Sequence, residues 1–260
     1  MGFLSDFFRD LPLYLLSLPV MLMALSVHES AHGYVAYKLG DPTARNLGRI
    51  TLNPVKHFDL VGFLSMLVFH VGWAKPVPIH TRHFKKPRRD MAITGAAGPL
   101  SNLCLAIIHL LILRIVMIFV ADIFLEETVA YSMSALAGKS FTGSLPYTIV
   151  ALILYMLYMG VAMNVVLTLF NLIPVPPFDG SRIFYAFLPP KWYFGVMKYE
   201  RIIMIVFIFL FFLGFLNGPL RIMEEWLLNG LFTITGMGDA STDRNVLMWM
   251  LSYIQDLVAL

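Results

Sequence analysis

The chain has few groups that could crosslink it or keep it in solution. Its 260 residues include a single cysteine, Cys104, which excludes an intrachain disulfide and any zinc site built from several cysteines. Charged residues make up only 13% of the chain, about half the share of an ordinary soluble domain. The net charge of +3 is too small to indicate a nucleic-acid partner. A metal in this chain would therefore be held by histidines and carboxylates.

Apolar sequence is what the chain has in abundance. Hydrophobic residues make up 58% and the mean hydropathy is +0.75, which indicates a polytopic membrane protein. Three apolar runs, at 11–39, 91–121 and 146–172, are long enough to cross a bilayer as helices, and 202–216 is predicted as a fourth crossing. Gly40 and Asp41 are expected to end the first helix. The first ten residues lack the basic start of a secretory signal, so we expect this segment to remain attached.

Basic residues mark one side of the predicted crossings. They flank the apolar piece 60–73 on both sides, and this piece is too short for an ordinary crossing, so we expect it to re-enter the membrane instead. Acidic residues dominate 122–144, which we interpret as a polar loop on the outer side. The sequence predicts an all-α membrane protein, a helical bundle of about four to six transmembrane segments. A re-entrant or β-hairpin element is expected near the cytoplasmic face, and the N-terminus outside.

The first apolar run contains His28-Glu29-Ser30-Ala31-His32, an H-E-x-x-H pattern. Residues four apart share one face of a helix, so both imidazoles can bind one metal while Glu29 lies beside them. This arrangement is typical of zinc peptidases. Two buried histidines that only satisfy each other's hydrogen bonds are the alternative that the five residues leave open. The depth of the motif within a predicted crossing favours a function.

A catalytic zinc ion needs a third protein ligand and an open coordination position. Asp179 is the best-placed candidate, because the proline-rich turn 174–177 before it is rigid and Gly180 permits close approach of the backbone. A turn in which Asp179 only caps the next helix is the alternative. The remaining histidines outside the motif are weaker candidates: His57, His70, His80, His83 and His109.

The chemistry expected of this ligand set is hydrolysis of a peptide bond. Glu29 would take a proton from a water molecule that the metal acidifies, and would then give it to the leaving amine. A polar donor near the metal should stabilise the oxyanion. Asn171 is the first candidate because it precedes the turn that carries Asp179, and Asn102 and Asn164 are weaker ones.

Taken together, these segments resemble the compact branch of the site-2 protease family of intramembrane zinc metalloproteases. The matching pieces are the H-E-x-x-H pattern, Gly-Pro-Leu-Ser-Asn at 98–102, the segment from Asn171 through Pro174 to Asp179-Gly180, and Gly-Trp-Ala-Lys-Pro-Val-Pro at 72–78. They span about residues 11–190.

The resemblance implies a role for each matching residue. His28, His32 and Asp179 would hold one catalytic zinc ion, Glu29 would be the base, and Asn171 would assist in binding the substrate or oxyanion. Residues 1–260 would form a single membrane protease domain, with a catalytic core at about 11–190 and further helices at 191–260. Larger members carry a PDZ or CBS module, for which this chain offers no room. The implied location is a prokaryotic plasma membrane, with the site near the cytoplasmic side.

The expected partners are the lipid bilayer and a membrane-embedded protein or peptide substrate. A helical substrate hides its carbonyl groups in its own hydrogen bonds, so it must unwind locally. Two extended stretches, 48–52 and 75–79, could receive the unwound segment by strand addition. The predicted substrate-binding residues are Gly48, Thr51, Val77 and Asn102. The alternatives from other classes are a metal-transport or metal-binding membrane protein, and a catalytically silent chaperone or sequestration protein with the same fold.

Overall fold

The computed structural model describes residues 3–69, 72–136, 144–189, 196 and 198–236. Most of these residues are helical, and no strand occurs among them. The α helices of this part of the chain are, in order, α1 (Phe3–Lys38), α2 (Thr43–Asn46), α3 (Leu60–Phe69), α4 (Pro87–Leu136), α5 (Leu145–Leu172), α6 (Asp179–Phe187), α7 (Glu200–Phe212) and α8 (Asn217–Ile234). Single 3-10 turns occur at Pro54–Lys56 and Thr81–His83.

Three segments of the described helices are long and apolar enough to cross a membrane: Leu11–Lys38, Pro87–Val120 and Leu145–Leu172. They confirm the three long predicted runs and the multi-pass, all-helical class. The fourth predicted crossing, 202–216, is not matched by one long helix. The helix there, α7, is about 20 Å long at 1.5 Å per residue, which is less than the hydrocarbon thickness of about 30 Å.

The predicted end of the first helix at Gly40 and Asp41 is confirmed. Gly40 has a φ of 111°, a left-handed conformation that costs glycine little. The side chain of Asp41 is fully buried just beyond it. Its carboxylate accepts hydrogen bonds from the amide of Thr43 (3.0 Å), the amide of His80 (2.6 Å) and Nδ1 of His83 (2.8 Å). Asp41 thereby links the residues that follow α1 to residues 80–83.

Asp41 also makes the stability of this region depend on pH. Burial acts to raise the pKa of its carboxyl, but hydrogen bonds from Thr43, His80 and His83 outweigh burial and hold the pKa below its ordinary value. Because the folded-state pKa is the lower one, Asp41 stabilises the fold above the unfolded-state pKa of about 3.9. This contribution is lost as the pH falls through the folded-state pKa.

We therefore expect the thermal unfolding midpoint of the wild type to fall more steeply than that of Asp41→Asn as the pH drops from about 5 to below 4. The asparagine variant lacks the titrating group and should already be less stable at neutral pH. Fluorimetric melting in detergent at a series of pH values measures both curves. Parallel curves for the two proteins would contradict the role given to Asp41.

Two local predictions are wrong. The polar loop predicted at 122–144 is helical as far as Leu136, because its acids do not end a helix and neither proline nor glycine occurs between 122 and 137. The strand-like stretch 48–52 forms no strand. Gly48, with a φ of 62°, and Arg49 donate their amides to carbonyls of α2 and close that helix. Residues 137–143 and 237–260, the latter being part of the stretch 191–260 for which further helices are predicted, lie outside the described residues.

The short apolar piece 60–73 contains α3, while residues 72–80 run without helix or strand. The prolines Pro76 and Pro78 explain why no helix forms in this second stretch. Residues 72–80 are called the proline segment below.

The described chain divides into two compact units. One contains 22–105 and 164–226 and holds every residue of the predicted site. Its core includes several small residues that let helix backbones come close, among them Ala24, Ala36 and Ala97. The other contains the remaining described residues and has a core of larger side chains, including Leu110, Leu113, Tyr147, Leu154 and Val161.

Candidate metal centre

Three potential metal-ligand atoms meet in the unit formed by 22–105 and 164–226. Nε2 of His28 and Nε2 of His32 are 3.0 Å apart, and each lies 3.1 Å from Oδ2 of Asp179. Both histidines are buried, and the side chain of Asp179 is 23% exposed. Within the described part of the chain, no other group of three such side chains comes together. The structure thus brings together the three residues predicted to hold zinc.

The ring of His32 is held from behind by a backbone carbonyl. Its Nδ1 lies 2.7 Å from the carbonyl oxygen of Thr94. A carbonyl oxygen can only accept a hydrogen bond, so Nδ1 carries the hydrogen. In the neutral imidazole this leaves a lone pair on Nε2, which points toward Asp179.

The ring of His28 is held in the same way by an asparagine. Its Nδ1 lies 2.5 Å from Oδ1 of Asn102, a fully buried side chain of α4. The amide nitrogen of Asn102 donates to the carbonyl of Ala24 (3.3 Å) and to Oδ1 of Asn164 (2.7 Å). Because the carbonyl of Ala24 can only accept, the oxygen of Asn102 is the atom that faces His28. His28 therefore also presents the lone pair of Nε2.

This arrangement fits a zinc ion. Two lone pairs and a carboxylate oxygen face one another, which is repulsive unless a cation lies between them. Zinc binds imidazole nitrogen at about 2.0–2.1 Å with tetrahedral angles, which places neighbouring ligand atoms about 3.3–3.4 Å apart. The observed separations of 3.0 and 3.1 Å are close to that spacing. Two histidines and one carboxylate also match the usual ligand set of catalytic zinc.

Asp179 reaches the histidines because α6 starts close to the end of α5. It is the first residue of α6, not its cap, and a bent stretch at 173–178 separates the two helices. A Cβ atom on Gly180 would lie 2.3 Å from the carbonyl oxygen of Leu172 and 2.5 Å from that of Ile173. Only glycine permits this approach, as the sequence predicted.

The carboxyl of Asp179 is ionised at neutral pH. Burial acts to raise its pKa, but when a proton takes the place of the metal on the imidazoles, hydrogen bonds and charges from His28 and His32 outweigh burial and lower the pKa to about 2. A negative charge on this oxygen is what a zinc ligand requires.

A glycine of α4 makes room for both imidazoles. A Cβ atom on Gly98 would lie 2.5 Å from Cε1 of His28 and 2.5 Å from Nε2 of His32. The backbone of α4 therefore packs directly against the two rings. Gly98 belongs to the run Gly-Ala-Ala-Gly at 95–98, and small residues of this kind let helices in a membrane approach closely.

Glu29 is half-buried beside the ligand pair. Its Oε2 accepts a hydrogen bond of 2.8 Å from the amide of Val77, in the proline segment. The predicted base is thus held by backbone from a distant part of the sequence.

The predicted oxyanion and substrate groups have partners of their own. Asn171 donates its side-chain amide to the carbonyl of Leu167 in the same helix, at 2.9 Å. The amide and carbonyl of Thr51 both bind Oγ of Ser30, at 3.2 and 2.6 Å. Gly48 lies at the end of α2. Asn102, which is fully buried, holds His28 and is therefore better described as a supporting residue than as a substrate-binding one.

The histidines that were weaker ligand candidates lie elsewhere. His57 is buried with Nε2 at 2.8 Å from the carbonyl of Thr51, and His83 binds Asp41. His80 contributes its amide to Asp41, and His109 packs against Gly160 in the other unit. His70 lies outside the described residues.

Sequence reasoning missed the groups that hold the ligands. The carbonyl of Thr94 is a backbone atom, so no residue type could reveal it. Asn102 and Asn164 could be recognised as important in the sequence, because a polar side chain within an apolar run is unfavourable unless it has a hydrogen-bond partner or a function. The sequence alone could not say which histidine they serve.

We expect Asn102→Leu to lower zinc affinity about 10–100-fold, because His28 would lose the acceptor that fixes its tautomer and ring orientation. Asn102→Asp keeps an acceptor and should retain more affinity than the leucine variant. Competition with a fluorescent zinc chelator in detergent measures both. Ser101→Ala is a matched control, since Ser101 donates only to the carbonyl of Gly98 in its own helix. Wild-type affinity in Asn102→Leu would contradict the role.

The family model described as "Peptidase family M50" matches residues 17–216. "Putative zinc metalloprotease YwhC" of Bacillus subtilis is 40% identical over 191 residues, which are 74% of this chain and 77% of that protein. "Putative zinc metalloprotease Rip2" of Mycolicibacterium smegmatis is 27% identical over 183 residues, 68% of this chain and 59% of the relative. The protein of the same name in Mycobacterium tuberculosis is 26% identical over 212 residues, which are 79% of this chain and 70% of that protein. No solved structure matches the chain.

Proposed function

Given that the chain belongs to peptidase family M50, the site-2 proteases, and is a zinc metalloprotease, we propose that it cuts peptide bonds in or near transmembrane segments of other membrane proteins. The observation that carries this proposal is the location of the ligand pair. His28 and His32 lie in Leu11–Lys38, a stretch of 28 residues that is long and apolar enough to cross a membrane. A peptidase whose metal ligands lie there acts on bonds that reach membrane depth.

His28, His32 and Asp179 are the residues proposed to hold the metal. Zinc bound by them supplies a Lewis acid for the scissile carbonyl and acidifies a water molecule. The chain's own contribution is preorganisation, because Thr94 and Asn102 keep both imidazoles in the tautomer that presents Nε2.

Glu29 is proposed as the general base of an H-E-x-x-H enzyme. The amide of Val77 holds Oε2, which leaves Oε1 to take a proton from the attacking water and later to give it to the leaving amine. Asn171 is proposed to donate to the substrate or oxyanion. Its side-chain amide has two hydrogens, of which the bond to Leu167 uses one.

The proposed topology has four to six crossings with the N-terminus outside and the site near the cytoplasmic face. Its support is the distribution of lysine and arginine, which cluster at 82–89 and recur at 182–201. In this topology α3 dips into the membrane from the cytoplasmic side without crossing it. The whole chain serves as one protease domain with its catalytic core at about 11–190, in a prokaryotic plasma membrane.

The proposed substrate is a transmembrane helix that unwinds near the site. The proline segment is the proposed receiving edge, because it lies next to Glu29 and is not helical. The amides of Val77 and Thr51 are already bonded, so a substrate strand would pair with other backbone groups of these stretches.

The test is cleavage of a membrane-embedded helical peptide by the purified chain in proteoliposomes. We expect cuts within the embedded segment, loss of cleavage on treatment with a chelator, and recovery when Zn²⁺ is restored. The same peptide sequence in a soluble, unstructured form is the control for depth. Cleavage of the soluble form alone would contradict intramembrane action, and the absence of zinc-dependent cleavage of either form would contradict the protease.

Metal transport is not favoured. A transport path needs successive ligand groups across the bilayer, whereas the described residues hold a single His-His-Asp group. The relatives are also named as metalloproteases.

A further inference from the structure

The carboxylate of Glu29 is held by one backbone amide, and the sequence around that amide is unusual. Val77 lies between Pro76 and Pro78, neither of which has an amide hydrogen. Its own amide is therefore the sole donor of this tripeptide, and it lies 2.8 Å from Oε2 of Glu29. The flanking prolines also restrict the backbone of Val77, so the direction of this N–H bond is fixed once the segment itself is fixed.

A buried arginine fixes the segment immediately before Val77. Nη2 of Arg49 donates to the carbonyl of Lys75 at 2.8 Å and to the carbonyl of Pro76 at 3.0 Å. Nη1 of Arg49 donates to the carbonyl of Lys56. One guanidinium thus clamps the two residues that precede the amide serving Glu29, and ties them to the loop after α2.

Carbonyl groups, and no counter-ion among the described residues, compensate the burial of this arginine. Arg49 is 8% exposed, none of the described carboxylates pairs with it, and its Nε has no hydrogen-bond partner there. A buried guanidinium without a counter-ion is unfavourable compared with an apolar side chain of similar size. The three carbonyls that it holds therefore account for an arginine at this place.

The proline segment is also fastened on both sides of Val77. The amide of Lys75 donates to the carbonyl of His57 at 2.8 Å, and the amide of His80 donates to Asp41 at 2.6 Å. Among the described residues, Arg49 is the one hydrogen-bonding anchor on the carbonyl directly before Val77, that of Pro76. Its loss would leave the ends of the segment attached and loosen the backbone next to the Val77 amide.

We propose that Arg49 is a positioning residue for the general base. It holds the carbonyls of Lys75 and Pro76 so that the amide of Val77 keeps the Glu29 carboxylate in one orientation, with one oxygen bound and the other available for proton transfer. This inference rests on the proposed peptidase function of the site. Arg49 touches neither the metal ligands nor Glu29, so its effect passes through Val77.

The proposal predicts a defect in kcat. A displacement of a catalytic group by about 1 Å costs on the order of 100-fold in rate, so we expect Arg49→Met to lower kcat about 10–100-fold with little change in KM and full zinc content. Arg49→Lys keeps the charge but cannot bridge three carbonyls, and should recover only part of the rate. Arg45→Met is the matched control, because Arg45 is an exposed arginine of α2, four residues before Arg49, that donates to the hydroxyl of Tyr37.

A double-mutant cycle separates this role from a general structural one. Val77→Pro deletes the amide donor, and Val77→Ala controls for its side chain. If Arg49 acts through this amide, Arg49→Met adds no further loss of kcat in the Val77→Pro background. Equal losses in both backgrounds overturn the proposal, as does a rise in KM alone or a loss of zinc that matches the loss of rate.

Hydrogen–deuterium exchange gives a readout that does not depend on cleavage. Two peptides that share a start before residue 74 and end at 75 and at 78 differ only by the Val77 amide, and we expect this amide to exchange faster in Arg49→Met and Arg49→Lys than in the wild type. Wild-type protection of this amide in both variants overturns the proposal. A wild-type protein that cleaves nothing refutes the proposed function, yet the exchange experiment still decides whether Arg49 holds Val77.

Discussion

Glu29→Gln is expected to lower kcat by about 10²–10⁴-fold while bound zinc stays at the wild-type level. The amide of glutamine has nearly the size of the carboxylate and can still accept the hydrogen bond from Val77, but it cannot take a proton from water at neutral pH. His28, His32 and Asp179, the three proposed ligands, are unchanged in this variant. The measurement is steady-state cleavage of a membrane-embedded peptide, together with zinc analysis of the same purified protein.

Glu225→Gln is the matched control for Glu29→Gln. It removes the same charge from a side chain that is 61% exposed and pairs only with Arg221 within the described residues, so we expect wild-type turnover. Undiminished cleavage by Glu29→Gln would refute the role of general base. Loss of zinc from this variant would instead show that Glu29 supports the ligands.

Gly98→Ala is expected to disable the site through its geometry alone. The new methyl group would lie 2.5 Å from ring atoms of both histidines, whereas carbon atoms in contact are about 3.5–4.0 Å apart, so α4 or both rings must shift by about 1 Å. Loss of one supporting contact costs 10–100-fold in metal affinity, so we expect a loss of at least about 100-fold when both ligands are displaced, with cleavage falling in parallel.

Chelator competition and cleavage assays on the same preparation measure both effects of Gly98→Ala. Gly218→Ala is the matched control, since a Cβ atom there meets nothing within 4 Å. An alanine at position 98 that left zinc affinity unchanged would mean that α4 does not pack against the ligand pair in the membrane.

The sequence predicted the parts of the site that depend on spacing along one helix or on a single turn. Histidines four apart on α1, the end of that helix at Gly40, and the close approach at Gly180 all follow from local geometry. His28 and Asp179 come together as the family resemblance implied, although periodicity alone says nothing about a pair so distant in the chain.

Contacts between distant backbone and side chains could not be predicted. Every residue has a backbone carbonyl, and every residue except proline has a backbone amide hydrogen. That His32 binds the carbonyl of Thr94 and Glu29 binds the amide of Val77 is therefore decided only by the folded chain. The extension of α4 to Leu136 was missed for a different reason. Acidic residues were interpreted as a loop, although a helix can expose them to water and no helix breaker precedes Gly138.

Asp179 and His28 are 151 residues apart in the chain, while His28 and His32 are four apart. A metal bound by all three therefore closes the polypeptide into a large ring. Ring closure removes conformational freedom mainly from the unfolded chain, and a ligand that binds only the folded form stabilises it according to its free concentration. The supply of zinc would then set the lifetime of the folded protein in the cell as well as its activity, so that metal starvation would deplete the protein itself.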